Sequence, residues 1–385
     1  MKLRTVGLLV YGAFLLAGCA NTEKADIVIS EFREKHIDDV REEVFDVEFR
    51  KDRGKTIVLH GEMEDSLKRK TLIENLEEDG FSVVDSIRLL PHDVEFPWGI
   101  VKLSVGNLRA RPMHRAELVS QAVMGTPVRV LKEKKGWVYI QTPDRYLSWC
   151  EKAALSFKSN SEMEEWRESE RLFVTTPYSF LKDEETGLNV SDLVLGCLLE
   201  SKETAGSRMK LSTPDGREGV VESAHVVPFE RANVSLKADT SIVEEEALRM
   251  RGTPYLWGGT SMKGMDCSGF TKTVYRMSGL VLARDASLQV RHGGKIPVEN
   301  GWQNLEKGDL LFFSPRKGSE RITHVGIYLS NGEFIHAAGR VKVNSLDSTS
   351  NRYSRYRDET LVQARRVSDH EGTPGIIPLL EHPWY

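Results

Sequence analysis

The sequence predicts a multidomain α+β chain, with a small α+β unit first, two β-barrels of short strands next, and a C-terminal domain mixing helices and strands. Three observations predict it. At 385 residues the chain is too long for one ordinary hydrophobic core, so several domains are required. Between positions 100 and 235 short apolar runs alternate with turn residues, the rhythm of small barrels. From about 240 onward helical and strand patterns interleave, and a Cys in a Gly-flanked turn is followed by two His. The composition, 40% hydrophobic and 29% charged, is that of a soluble globular protein.

The first element is a leader. Met1-Lys2-Leu3-Arg4 is basic, Val6 to Ala17 is apolar but too short to span a bilayer as a stable helix, and Leu16-Ala17-Gly18-Cys19 closes the run. This resembles a bacterial lipobox, which implies removal of residues 1–18, lipid on Cys19, and a chain anchored to a membrane without crossing it. Loss of Lys2 and Arg4 with the leader takes the formal charge from −4 to −6. That balance argues against nucleic acid as a partner and offers no basic patch to anionic lipid, so attachment falls to the acyl chains.

Residues 19–98 read as the small α+β domain. A helical pattern (Ile27, Phe32, Ile37, Val40) precedes a strand pair (Val44 to Phe49, Thr56 to Leu59), a helix from Asp65 to Glu78 closed by Gly80, and a strand from Ser82 to Leu89. No catalytic constellation is visible in it. Residues 99–156 form the first predicted barrel, of five strands, and residues 157–236 a weaker second copy in which "TPDGREGVV" echoes "TPDRYLSWC". The linking segment Ser156 to Glu170 is polar, with Trp166 marking a short helix. Cys150 and Cys197 each end an apolar run, which favours buried thiols over the alternative of a disulfide.

The chemistry concentrates in residues 237–369, followed by a predicted tail, 370–385. After Asp266-Cys267 the apolar or aromatic positions 270, 274, 275 and 277 and the stop Ser278-Gly279 predict a helix of about three turns. Asp266 suits its cap, and Cys267 falls in its first turn, where unpaired N–H groups and the helix dipole favour thiolate. Downstream, Ile322 to Leu329 and Glu333 to Ala337 read as a hairpin turning at Ser330-Asn331-Gly332. A three-residue loop would set His336 opposite Gly326 and on the face of His324; a two-residue turn would put the two His on opposite faces. The three-residue loop is expected, because it groups a thiol with a base and an orienting residue. Inert core Cys and structural His are the plainer alternative, and zinc would need a further close ligand that is not visible.

These residues carry a resemblance. The pieces "GTPYLWGG", "DCSGF", "RDASLQ", "LEKGDLLFF", "THVGIYL" and "FIHAAG", between about Ser241 and Arg366, resemble in content and order the NlpC-type cell-wall cysteine peptidases, a papain-like fold with permuted order. "NLRARP", "GTPVRVL", "GWVYIQTPD" and "YLSW" resemble the bacterial SH3-like domain that precedes such peptidases, with Ser148 where Gly is common.

The resemblance implies Cys267 as nucleophile, His324 as base and His336 as third triad member, with Tyr255 near the thiol. It also places Asp266, Ser268, Asp285 and Ser287 around the peptide, although Asp266 has its capping role and Asp285 a possible partner in Arg284. In recycling-type members the first SH3-like domain leans over the site and holds the free amine of L-Ala; here Glu117 and Tyr146, if buried or half-buried, would fix that ammonium. The implied reaction is hydrolysis of the γ-D-glutamyl to diamino acid bond of murein peptides. No cofactor or metal is implied, and a monomer is expected on the periplasmic face of the outer membrane. The alternatives are an endopeptidase of intact cross-linked murein and a murein-binding lipoprotein with an idle peptidase domain.

Overall fold

The computed structural model describes residues 7–232, 240–299 and 301–385, with backbone alone at 7–21, 204–205 and 231–232. The predicted leader therefore falls partly outside the described residues, as do the side chain of Cys19 and the 236/237 boundary. Two compact units divide the chain between Val94 and Glu95.

In the first unit, helix α1 (Gly7–His36) is followed by strands β1 (Phe45–Lys51) and β2 (Thr56–Met63), helix α2 (Ser66–Glu78) and strand β3 (Ser82–Leu89). Asp65 caps α2 by accepting from the Leu67 and Lys68 amides at 2.8 and 3.0 Å. The β2-α2-β3 crossover makes β2 and β3 parallel, while β1 and β2 pair antiparallel. Leu72 and Leu76 of α2 reach Leu59 and Phe32, which close the core. Val40 does not extend the first helix as its spacing suggested; it lies past the end of α1 and is exposed. Among the described residues no helix is long and apolar enough to cross a membrane.

The second unit opens with strands β4 (Trp98–Val101), β5 (Val105–Arg109), β6 (Leu118–Val123), β7 (Pro127–Lys134), β8 (Trp137–Gln141), β9 (Leu147–Glu151) and β10 (Leu155–Lys158). Their order is β10-β4-β7-β8-β9-β5-β6, so seven strands stand where five were expected. Helix α3 (Asn160–Glu168) follows, started by a Ser159 capping box and burying Trp166. The next seven strands are β11 (Arg171–Val174), β12 (Tyr178–Lys182), β13 (Asn189–Val194), β14 (Leu198–Ala205), β15 (Arg208–Ser212), β16 (Glu218–Glu222) and β17 (Val226–Pro228). Counted within each sheet, their arrangement repeats that of the first seven in reverse reading. The second copy legible in the sequence is thus a copy of topology. Cys150, in β9, and Cys197, in the turn before β14, are buried thiols.

The catalytic-type domain comprises α4 (Ser241–Arg249), the short pair β18 (Thr260–Ser261) and β19 (Gly264–Met265), α5 (Cys267–Met277), β20 (Leu280–Leu282) and α6 (Ala286–Gln289). It continues with β21 (Gly294–Ile296), β22 (Leu310–Phe313), β23 (His324–Ser330), β24 (Glu333–Ala338), β25 (Arg340–Ser345), α7 (Arg355–Thr360), β26 (Leu361–Arg366) and β27 (Ile376–Pro378). Six of its strands form one antiparallel sheet in the order β21-β26-β22-β23-β24-β25. On it lies α5, whose Phe270 and Val274 share a core with Val325, Ile327 and Ile335.

That core continues through Met277, Leu198, Phe173 and Trp166, so the catalytic-type domain and the second barrel bury one common apolar interior. Residues 370–385 are not a tail. Strand β27 pairs with β20, His382 Nε2 bonds the Pro143 carbonyl at 2.9 Å, and Tyr385 is buried against Phe229. The segment straps three folded parts together.

Candidate active site

Helix α5 begins as its sequence dictates. Asp266 adopts an extended backbone and accepts from the Gly269 amide at 2.7 Å, which leaves Cys267 as the first helical residue, only 8% exposed. The hairpin of β23 and β24 brings the two His together by a route the sequence reading did not anticipate. Ser330 pairs with Glu333 across a two-residue turn, Asn331 (φ 50°) and Gly332 (φ 76°), in the left-handed conformations of a type I′ turn. The expected three-residue loop is therefore wrong. An extra residue at Leu329 then bulges out, so that Tyr328 faces Phe334 and Ile327 faces Ile335. The bulge restores the parity that the shorter turn would have reversed, and a Cβ on Gly326 would lie 3.1 Å from that of His336.

The imidazoles of His324 and His336 meet edge to face, with His324 Nε2 and His336 Nδ1 2.7 Å apart. His336 Nε2 lies 2.9 Å from Asn344 Oδ1, and Asn344 Nδ2 donates to the Arg352 carbonyl at 3.1 Å. A main-chain carbonyl can only accept, so it fixes the Asn344 amide with its oxygen toward His336. His336 then carries its proton on Nε2, its Nδ1 accepts from His324 Nε2–H, and His324 Nδ1 keeps the lone pair. One backbone carbonyl orients a proton acceptor.

The thiol of Cys267 sits beside the start of β23, where the Val325 and Ser268 N–H groups favour its anion. They are outweighed. Burial first, and the Asp266 charge second, push the thiol up to about 11, so the helix start does not by itself depress it as expected. Burial and the nearby Arg357 charge hold His324 well below 6.5, and burial brings His336 to about 4. Neither Cys267 nor His324 ionises favourably alone; a proton crossing from Sγ to Nδ1 creates both charges together. Tyr255 is half-buried, and burial plus the charges of Cys267 and Asp266 raise its hydroxyl to about 12.

The remaining candidates divide into two groups. Arg284, fully buried, pairs with Asp266 (Nη2–Oδ2 2.6 Å) and donates to Ser268 Oγ at 2.9 Å. Its hydrogen-bonded ion pair is with Asp266, while the neighbouring Asp285 charge also favours the guanidinium. Asp285, just before α6, accepts instead from Tyr146 Oη of the first barrel at 3.3 Å, and Ser287 stands on the same short helix. Glu117 differs from expectation in being exposed; it accepts from Trp257 Nε1 at 2.7 Å, in the loop that carries Tyr255. Sequence reasoning missed Asn344 and Arg357. Among the described residues no group of three or more His, Cys, Asp or Glu is arranged to hold a metal.

Comparison with known proteins accords with this geometry. Residues 252–366 match the NlpC/P60 family, and residues 108–155 the bacterial dipeptidyl-peptidase SH3 domain. The dipeptidyl-peptidase 6 of Lysinibacillus sphaericus is 30% identical over 64% of this chain and 91% of its own. The chain belongs to the NlpC/P60 family. Members of this family are cysteine peptidases, and so is this protein. The gamma-D-glutamyl-L-lysine dipeptidyl-peptidase of Bacillus cereus is also 30% identical, over 57% of this chain and 67% of its own. A crystal structure of an NlpC/P60 family protein from the same species, 23% identical, covers 70% of this chain and 99% of its own with a TM-score of 0.59, a likeness of fold.

Two outcomes follow for this NlpC/P60 peptidase. With His324 as the base, activity requires its neutral form, and its ordinary value of 6.5 is lowered, so the acid limb of kcat/KM should fall below that pH. More than half of the neutral-pH rate should persist at pH 6. Asn344→Leu removes the acceptor that fixes the His336 tautomer and should lower kcat about tenfold to a hundredfold, whereas Asn344→Asp, which can still accept, should stay near wild type. Steady-state kinetics on one peptide substrate checks both.

Proposed function

We propose that the protein hydrolyses the bond between γ-D-glutamate and the following diamino acid in murein peptides that have a free N-terminal L-Ala. In this reading Cys267 passes its proton to His324 Nδ1 and its sulfur attacks the γ-carbonyl carbon, forming a C–S bond. The tetrahedral oxyanion is held by backbone N–H groups at the helix start, that of Cys267 included, with Tyr255 nearby. Collapse breaks the C–N bond, and the departing amine takes the proton from His324. Water, deprotonated in turn by His324, hydrolyses the thioester and restores the thiol. His336 positions the base.

The observation that carries the specificity is the contact between Tyr146 and Asp285. It sets a phenol and a carboxylate at the seam between the first barrel and the cleft, with Glu117 joined to the Tyr255 loop through Trp257. A cleft stopped by acidic groups on the acyl side suits a short peptide ending in an ammonium. The name of the Bacillus cereus relative supports the same bond, and the names of both 30%-identical relatives support a dipeptide product. Asp266, Ser268 and Ser287 line this acyl side in the proposal.

Acetylation of the L-Ala amine should then lower kcat/KM about 30-fold to 1,000-fold, equivalent to roughly 2 to 4 kcal/mol. Glu117→Gln should show a similar loss on the free tripeptide and little on the acetylated one. Equal cleavage of free and acetylated tripeptides, by an enzyme that Cys267→Ala inactivates, would sink the clamp and favour action on intact murein.

We further propose that Cys19 is lipidated and holds the protein, as a monomer, at the periplasmic face of the outer membrane. The lipobox pattern of residues 16–19 supports this. Radiolabelled palmitate should enter the wild type and not Cys19→Ser; equal labelling of both would exclude that anchor.

A further inference from the structure

Beside the reacting pair lies one charged feature to which the proposed mechanism gives no role. Arg357, on α7, lies with its guanidinium 5.3 Å from the ring centre of Phe313 and 5.0 Å from that of Tyr356. The Phe313 ring in turn packs 5.8 Å from that of His324. Cation, aromatic platform and base thus form one continuous wall. The guanidinium is close enough for its charge to act on Cys267, His324 and His336 alike.

Among the described residues nothing pairs with it. Asp358, next along α7, accepts from Tyr353, and Glu359 pairs with Arg355, so the helix's own acids are turned elsewhere. Arg357 makes neither a hydrogen bond nor an ion pair, only the two ring contacts. It is half-buried, and burial lowers its basicity. A partly desolvated guanidinium beside two rings, with no N–H hydrogen bond among the described residues, is suited to a planar bidentate anion.

We propose that Arg357 binds the α-carboxylate of the diamino acid that leaves, and so selects peptides in which that carboxylate is not amidated. The inference rests on Cys267 and His324 being the reacting pair. The amine that departs must sit on His324 Nδ1 to take its proton. The α-carboxylate hangs from the same carbon as that amine, whereas the side-chain end of a diamino acid lies several bonds farther off. With only the Phe313 ring between it and the His324 imidazole, the guanidinium is assigned to the first group. Fixing this carboxylate holds the amine over the base, and the site then prefers a tripeptide to a stem continued by a further residue.

The test uses the full chain and two substrates, L-Ala-γ-D-Glu-L-Lys and the same peptide with its terminal carboxyl as the amide. Wild type should cleave the amide about 10-fold to 100-fold less efficiently in kcat/KM. Arg357→Gln should lose a comparable factor on the acid and fail to distinguish the two, and Arg357→Lys should restore part of the preference. Equal wild-type rates on acid and amide overturn the proposal. So does an Arg357→Gln loss that is the same on both substrates with the acid limb moved upward, since Arg357 would then only tune the basicity of His324 beside His336 and Lys342. Hydrolysis that persists in Cys267→Ala would instead remove the reacting pair on which the proposal stands.

Discussion

The ion pair of Asp266 and Arg284 is the contact on which the cleft depends. Both side chains are buried, and an isolated charge there would be costly, by several kcal/mol, so the pair survives only because its hydrogen-bonding capacity is filled. Asp266 Oδ1 accepts from the Gly269 amide, Arg284 and Ser268, while Oδ2 accepts from the Gly258 amide and Arg284. Arg284 spends its Nε on Ser120 Oγ of the first barrel. One carboxylate therefore starts the helix that carries Cys267, anchors the loop that carries Tyr255, and docks the barrel. Gly258 shows how tight that docking is: a Cβ there would lie 2.2 Å from the Leu118 carbonyl oxygen, in a backbone conformation (φ 77°) that side chains disfavour.

The same crowding explains the electrostatics. Asp266 stabilises the architecture but disfavours a standing thiolate next door, and Arg357 opposes an imidazolium on His324. The resting site is accordingly neutral at its reactive atoms and surrounded by fixed charges. In the proposed mechanism charge separation is deferred until the proton moves from Cys267 to His324.

Much of this was legible in the sequence because the signals are local. The cap at Asp266, the stop at Ser278-Gly279, the Ser159 helix start and the even spacing of His324 and His336 are each written within a dozen residues. What the sequence hid is non-local. Arg284 looked paired with its neighbour Asp285 because chain proximity is visible, whereas the partner 18 residues back depends on how α5 meets the Ala283 turn. Asn344 reaches His336 only through the register of β24 on β25, in which Lys342 faces His336. Residues 376–378 carry too short an apolar run to announce a strand, and become one by pairing with β20. The hairpin gave the right grouping through the wrong turn, since a bulge cannot be read from parity alone.

The alignment of the two imidazoles has its origin in the carbonyl of Arg352, which also accepts from the Ser345 amide at 2.9 Å. A main-chain atom has no identity to mutate. Replacement of the Arg352 side chain, which reaches away to Glu333, leaves that carbonyl where it is. Lengthening or shortening the stretch from Leu346 to Ser350 by a single residue would displace it. This surface loop thus bears on chemistry it never touches, through its length and through Asp347 and Ser350, which accept from the Thr349 and Arg352 amides and so hold the backbone that presents the carbonyl.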